Sequence, residues 1–172
     1  MNKLIVSVVL AFLTFSCAGQ QVRDSVPEGI PKGYVKFYYL KSEGTNPSHI
    51  SVYSTDNMDA SPYDRNIYGV LKGWDGEWAV GNDLHLTGDE IGVLVAKKPG
   101  NYKFMVDILG APKPQVFNIF VQEGILVPVK LIFSDIERKT KVTGGSRITT
   151  STTTTFRVNI VIEKPVPFVP KK

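Results

Sequence analysis

The sequence predicts an all-β domain, an antiparallel sandwich of about eight strands, with a barrel as the alternative closure. Three observations carry this. Beyond residue 32, short runs rich in Val, Ile, Phe, Tyr and Thr recur at regular spacing, separated by Gly, Pro, Asn and Asp. Several runs alternate apolar and polar residues, the two-residue period of a half-buried strand. Outside the first 16 residues, apolar positions three and four apart never persist long enough to form a helix.

The first predicted strand is the aromatic-rich run Tyr34–Leu40, and the second is His49–Tyr53. Ile67–Leu71 reads as a third, and Gly73–Val80 as a hairpin around Asp75-Gly76, because both residues tolerate positive φ. Ile91–Ala96 is apolar at both parities, as in a strand covered on both faces. Pro99-Gly100 then marks a turn, after which Tyr102, Phe104, Val106 and Ile108 alternate with Lys103, Met105 and Asp107. Val116–Val121 follows, then a Glu123-Gly124 turn and an alternating strand through Val127, Val129, Leu131 and Phe133. Pro128 removes an amide donor there, which points to an edge or a bulge. After Gly144-Gly145, the threonine run 149–155 leads into Phe156, Val158, Ile160 and Ile162, and its β-branched composition favours an extended strand.

The flanks read differently. Residues 17–32 contain Gly19, Pro27, Gly29 and Pro31 and suggest a flexible tether. Residues 164–172 carry three prolines and suggest an unpaired polyproline-like tail. The globular domain is therefore placed at 33–163.

Charge narrows the functional classes. The 172-residue chain has net charge +4, spread out with no run of four Lys/Arg, which argues against a nucleic-acid footprint. Cys17 is the single cysteine, so no intrachain disulfide exists and the core alone must stabilise the domain.

Cys17 is also the most informative position. Lys3 precedes the apolar run Leu4–Leu13, which has the length of a signal-peptide h-region and is short for a spanning helix. Ser16-Cys17 then opens a polar stretch. This layout resembles a bacterial lipoprotein signal peptide, with residues 1–16 removed and Cys17 lipidated as the first mature residue. Ser16 fits the family's small residue before the cysteine, whereas Thr14 and Phe15 depart from its Leu-Ala-Gly-Cys pattern. The resemblance implies a lipid anchor, palmitate included, in the cell envelope. Ala18 follows the cysteine in place of the aspartate that retains some lipoproteins in the inner membrane, which favours the outer membrane. Cleavage after Ala18, releasing a secreted or periplasmic protein, is the alternative.

Lys98–Val106, Phe117–Gly124 and Val127–Leu131 together resemble the latter half of PEGA-like or transthyretin-like envelope modules. In those, a Pro-Gly-x-Tyr turn leads into a strand, and a Gly-ended strand precedes a final apolar one. Pro27-Glu28-Gly29 precedes the first strand here, whereas the motif in that family follows one. The resemblance implies a non-enzymatic module whose partner is an envelope protein or cell-wall polymer.

Candidate chemistry is sparse. Trp74 and Trp78 flank Asp75-Gly76, and exposed indoles beside carboxylates would suit sugar stacking. Asp56, Asp59 and Asp64 gather within nine residues, an oxygen-rich loop of the kind that calcium prefers, but without the glycine and glutamate of an EF-hand. Asp83, Asp89 and Glu90 form a weaker acidic patch. These residues define a carbohydrate- or calcium-binding alternative. A hydrolase, the second alternative, would need His49 or His85 near a serine or carboxylate in a cleft. The sequence has no Gly-x-Ser-x-Gly elbow, phosphate-binding glycine loop or zinc-spaced ligand cluster. No cofactor and no catalytic residue is therefore expected.

Overall fold

The apolar alternation builds two sheets that share one interior. The computed structural model describes residues 22–43, 49–79, 89–109, 111–143 and 149–170. The leader, Cys17, Asp83, His85 and Gly144-Gly145 lie outside the described residues. The strands are β1 (Val22–Asp24), β2 (Gly33–Leu40), β3 (Ile50–Thr55), β4 (Asp75–Ala79) and β5 (Glu90–Lys97). They continue with β6 (Gly100–Ile108), β7 (Gln115–Val121), β8 (Ile125–Thr143), β9 (Thr149–Ile162) and β10 (Val166–Pro167). No helix occurs among the described residues.

The larger sheet has the order β1-β5-β2-β8-β10, with β9 also on β8, and the smaller has the order β4-β3-β6-β7. The sheets do not close into a barrel. The smaller sheet is antiparallel throughout, as expected. The larger one is mixed: β1 runs parallel to β5 and β2 parallel to β8. This corrects the all-antiparallel expectation. Hairpin turns enforce antiparallel pairing only between neighbours in sequence, and β2 and β8 are joined through the whole of the smaller sheet.

The interior is filled by Val35, Phe37 and Tyr39 of β2, Val93 and Val95 of β5, and Val127, Val129, Leu131 and Phe133 of β8. Against them pack Ile50 and Val52 of β3, Trp78, Phe104 and Val106, and Val121. Phe37 lies 5.1 Å from Phe104, and Tyr39 lies 5.5 Å from Phe133 and 6.0 Å from Trp78, centroid to centroid. Burying each such ring contributes about 1.5–3 kcal/mol.

Lys97-Lys98-Pro99-Gly100 carries the chain from β5 to β6, so both sheets share one end there. Gly33, Thr55 and Asp75 belong to that end, and Leu40, Glu90, Ile50 and Ile108 mark the opposite one. Past Leu40 of β2, β8 continues paired with β9 as far as Thr143 and Thr149.

Both outer faces are covered by segments that the sequence reads as tether, strand or tail. Val22 joins Tyr34, Leu94, Ala96, Leu126 and Phe168 on the larger sheet. Val26 is buried, and Lys32 pairs with Asp24 at 2.6 Å, so residues 22–32 belong to the domain. The tail is paired as well. Val166 and Pro167 pair with Leu126 and Ile125, the Phe168 amide donates to Gly124 O at 2.8 Å, and the Phe168 ring meets Tyr34 edge-on at 4.9 Å. Pro128 is buried between β2 and the Glu163 segment, not at an edge, and its carbonyl accepts from the Glu163 amide at 2.9 Å.

Residues 56–74 cover the smaller sheet. Ile67–Leu71 is a turn with a single Arg65–Leu71 bridge, where the composition suggests a strand. Asp75-Gly76 is not a hairpin turn but the start of β4, paired with Ser54 and Tyr53. Gly73, with φ of 72°, supplies the positive φ immediately upstream.

Candidate functional site

The proposed ligand residues do not converge. Trp74 packs with Ala60, Leu71 and Met105 on the outer face of the smaller sheet, and its Nε1 donates to Ser61 O at 3.0 Å. Trp78 lies in the interior between the sheets and is 2% exposed. The two indoles are thus buried on opposite faces of one sheet, and they do not form the exposed pair that sugar stacking would need. Alternation explains this: residues four apart share a face only in a regular strand, and Trp74 precedes a strand with a bulge.

Asp56, Asp59 and Asp64 are exposed. The Asp59 amide donates to Asn57 Oδ1 at 3.0 Å, and Asp64 pairs with Lys72 at 3.3 Å. The loop's inward carbonyls serve Lys103, whose ammonium donates to Met58 O and, at 3.3 Å, to Ala60 O. A lysine thus stands where a cation would collect these oxygens. Among the described residues, no group of three or more His, Cys, Asp or Glu side chains could hold a metal. Asp89 and Glu90 serve the opposite end of the larger sheet. Asp89 accepts from the Ser42 hydroxyl, which with the Ser42 amide holds its carboxyl below the usual range, and Glu90 pairs with Lys36 at 3.2 Å.

His49, just before β3, has its Nε2 3.1 Å from Ser51 Oγ. It stands exposed beside Ile50, at the end remote from Lys97.

Among the described residues, a buried charge cluster lies at the Lys97 end, and its members are not among the expected site residues. Ser54 has the inward parity of Ile50 and Val52, and Lys97 has that of Val93 and Val95. Glu77 precedes the inward Trp78, which strict alternation would forbid. The register shift between Val52 and Tyr53 leaves Glu77 as the extra residue of a bulge, and this turns it inward. Lys97 Nζ forms an ion pair with Glu77 Oε1, which also accepts from the Ser54 hydroxyl. All three residues are at least nine-tenths buried. Lys97 Nζ stands 5.7 Å from the centre of the Tyr102 ring. Burial first, then the Asp56 and Glu77 carboxylates, pushes the Tyr102 hydroxyl above its ordinary pKa.

Glu77 and Lys97 form the floor of a cleft of about 530 Å³, walled by Arg23, Asp24, Ser25, Trp74 and Asp75. Arg23 Nη1 reaches Gly76 O at 3.5 Å across it. The Lys32 hydrogen bond holds the Asp24 carboxyl below its ordinary pKa. The Ser54 hydroxyl is fully buried and spent on a carboxylate, so it presents no reachable nucleophile. This arrangement joins β3, β4 and β5 electrostatically across the edge of the two sheets. The signal available in the sequence was Lys97 on the apolar parity of Ile91, Val93 and Val95. Nothing local marked Glu77, because a bulge is decided by pairing. Searches of protein-family models, curated proteins and solved structures return no match to this chain.

Proposed function

We propose that this chain is a lipoprotein of a bacterial cell envelope, anchored through Cys17 and favouring the outer membrane, whose β-domain is a non-catalytic binding or structural module. The observation that carries this reading is the position of Cys17, directly after a positively started apolar run and a small residue. Acyl chains there would each add about 0.8 kcal/mol per buried methylene, so that several chains make release negligible. Cys17 and Val22 are five residues apart, which limits the link to about 18 Å of extended chain. The module would therefore work close to the bilayer, against an envelope protein or cell-wall polymer.

Mass spectrometry of the mature N-terminus tests the reading. An acylated Cys17 is the expected result, and a free terminus at Gly19 would replace the anchor with secretion. No observation favours the carbohydrate or calcium alternative, since both indoles are buried and Lys103 fills the loop carbonyls.

A further inference from the structure

We propose that the turn Asn66–Val70 is a second membrane contact, a small apolar wedge that enters the headgroup and acyl boundary of the bilayer. Ile67 is 91% exposed, Tyr68 83% and Val70 60%, with Tyr63 also exposed beside them. Single exposed apolar residues need no explanation, but three at the apex of one turn do.

The turn is not a loose loop. The Asn66 amide donates to Val70 O and the Gly69 amide to Asn66 O, both at 2.9 Å. Asn66 Oδ1 accepts from the amides of Tyr68 at 2.9 Å and Val70 at 3.0 Å. Arg65 Nη1 donates to Gly69 O at 2.9 Å, and Gly69 supplies the positive φ of 78° that closes the turn. The conformation that displays Ile67 and Tyr68 is thus fixed in advance.

This bonding pattern favours a bilayer over a protein pocket as the occupant. Hydrocarbon offers no partner to a backbone amide, so an inserted turn must satisfy its own polar groups. Asn66 does so for two amides through one side chain. The charges at the base of the turn are paired, Asp64 with Lys72 at 3.3 Å and Arg65 with Asp107 at 3.5 Å. The two tyrosines combine an apolar ring with a hydroxyl, as interfacial aromatics do.

Position supports the same occupant. Arg65 meets Asp107 near the Ile108 end of β6, so the turn lies toward the end remote from Lys97. β1 runs away from that end, parallel to β5, with Val22 beside Leu94 at mid-strand and Asp24 beside Ala96. The nearness of a bilayer rests on the proposed Cys17 anchor, which raises the effective concentration of the surface seen by the turn.

The test uses the full mature chain, purified from membranes in detergent and reconstituted into phosphatidylethanolamine–phosphatidylglycerol vesicles. Tyr68→Trp reports on the turn, with the wild-type chain and its buried Trp74 and Trp78 as baseline. The expected result is a blue shift and quenching by brominated acyl chains. Ile67→Ser/Val70→Ser in the Tyr68→Trp background, exposed changes that leave the turn's hydrogen bonds intact, should abolish the quenching while near-ultraviolet dichroism stays unchanged. Unquenched emission from vesicle-bound, acylated protein would overturn the wedge and leave the anchor standing. Quenching in protein found without acyl chains would support the wedge and refute the anchor. Quenching absent together with Tyr68-dependent cross-linking to an envelope protein in native membranes would overturn the wedge in favour of a protein partner.

Discussion

Removing the Lys97 ammonium should cost far more than removing the whole ion pair. In Lys97→Met, the Glu77 carboxylate stays inside with only the Ser54 hydroxyl as partner. An unpaired buried charge costs about 3–5 kcal/mol. That is a large share of the roughly 5–15 kcal/mol that holds an ordinary domain together. Replacing all three polar groups, as Ser54→Ala/Glu77→Leu/Lys97→Met, leaves no orphan and fills the space with apolar side chains. The combined change should lie within about 1 kcal/mol of wild type, or be stabilising. Urea unfolding of the mature chain, followed by tryptophan fluorescence, measures both. With a slope of about 2 kcal/mol/M, the single variant should lower the midpoint by about 2 M and the triple should restore it. A Lys97→Met midpoint within about 0.3 M of wild type, or a triple variant worse than the single, would refute the reasoning.

Four further outcomes follow from other parts of the molecule. A β-carbon at Gly92 would overlap Phe37 O on the neighbouring strand, so Gly92→Ala should destabilise by about 3 kcal/mol in thermal melts, a cost that no rotamer change relieves. Trp78 Nε1 is buried without a hydrogen-bond partner among the described residues, so Trp78→Phe should cost about 1 kcal/mol by urea titration, against about 3–5 kcal/mol for Trp78→Ala. Truncation after Lys164 removes the β10 pairing and the Phe168–Tyr34 contact, and should lower stability by about 2 kcal/mol in the same titration; a loose tail would change nothing. Burial first, then the hydrogen bond to Glu163 at 3.0 Å, raises the Tyr38 pKa far above its ordinary 10.0. The folded state then holds a proton that the unfolded chain releases, so the Tyr38 contribution is constant below pH 10 and falls above it, and Tyr38→Phe should make the alkaline loss of stability shallower, with Tyr102 supplying part of what remains.

The strands that were legible in the sequence are those whose burial repeats along the chain. Tyr34–Leu40, Ile91–Ala96 and the alternating runs through Phe104, Leu131 and Ile160 all fall in observed strands, because a two-residue period is a local property. The short strands β1 and β10 were not legible. Three residues around Arg23 and two around Pro167 carry no period, and they pair only because β5 and β8 present free edges to them. Ile67–Leu71 misled for the opposite reason: its apolar residues suit a strand, but Asn66 and Gly69 close it into a turn and leave them in solvent. The charge cluster was hidden for a third reason, since Ser54, Glu77 and Lys97 are up to 43 residues apart and meet only when the two sheets do.

The sequence by itself determined the all-β class, most of the strand positions and the place of Cys17, since each depends on residues adjacent along the chain. Tertiary structure alone decided the parallel pairings, the inward turn of Glu77, the burial of both tryptophans and the docking of residues 22–32 and 164–170. Those depend on which edges and faces remain open once the sheets form, and pairing energies between distant residues fix that, not the local pattern.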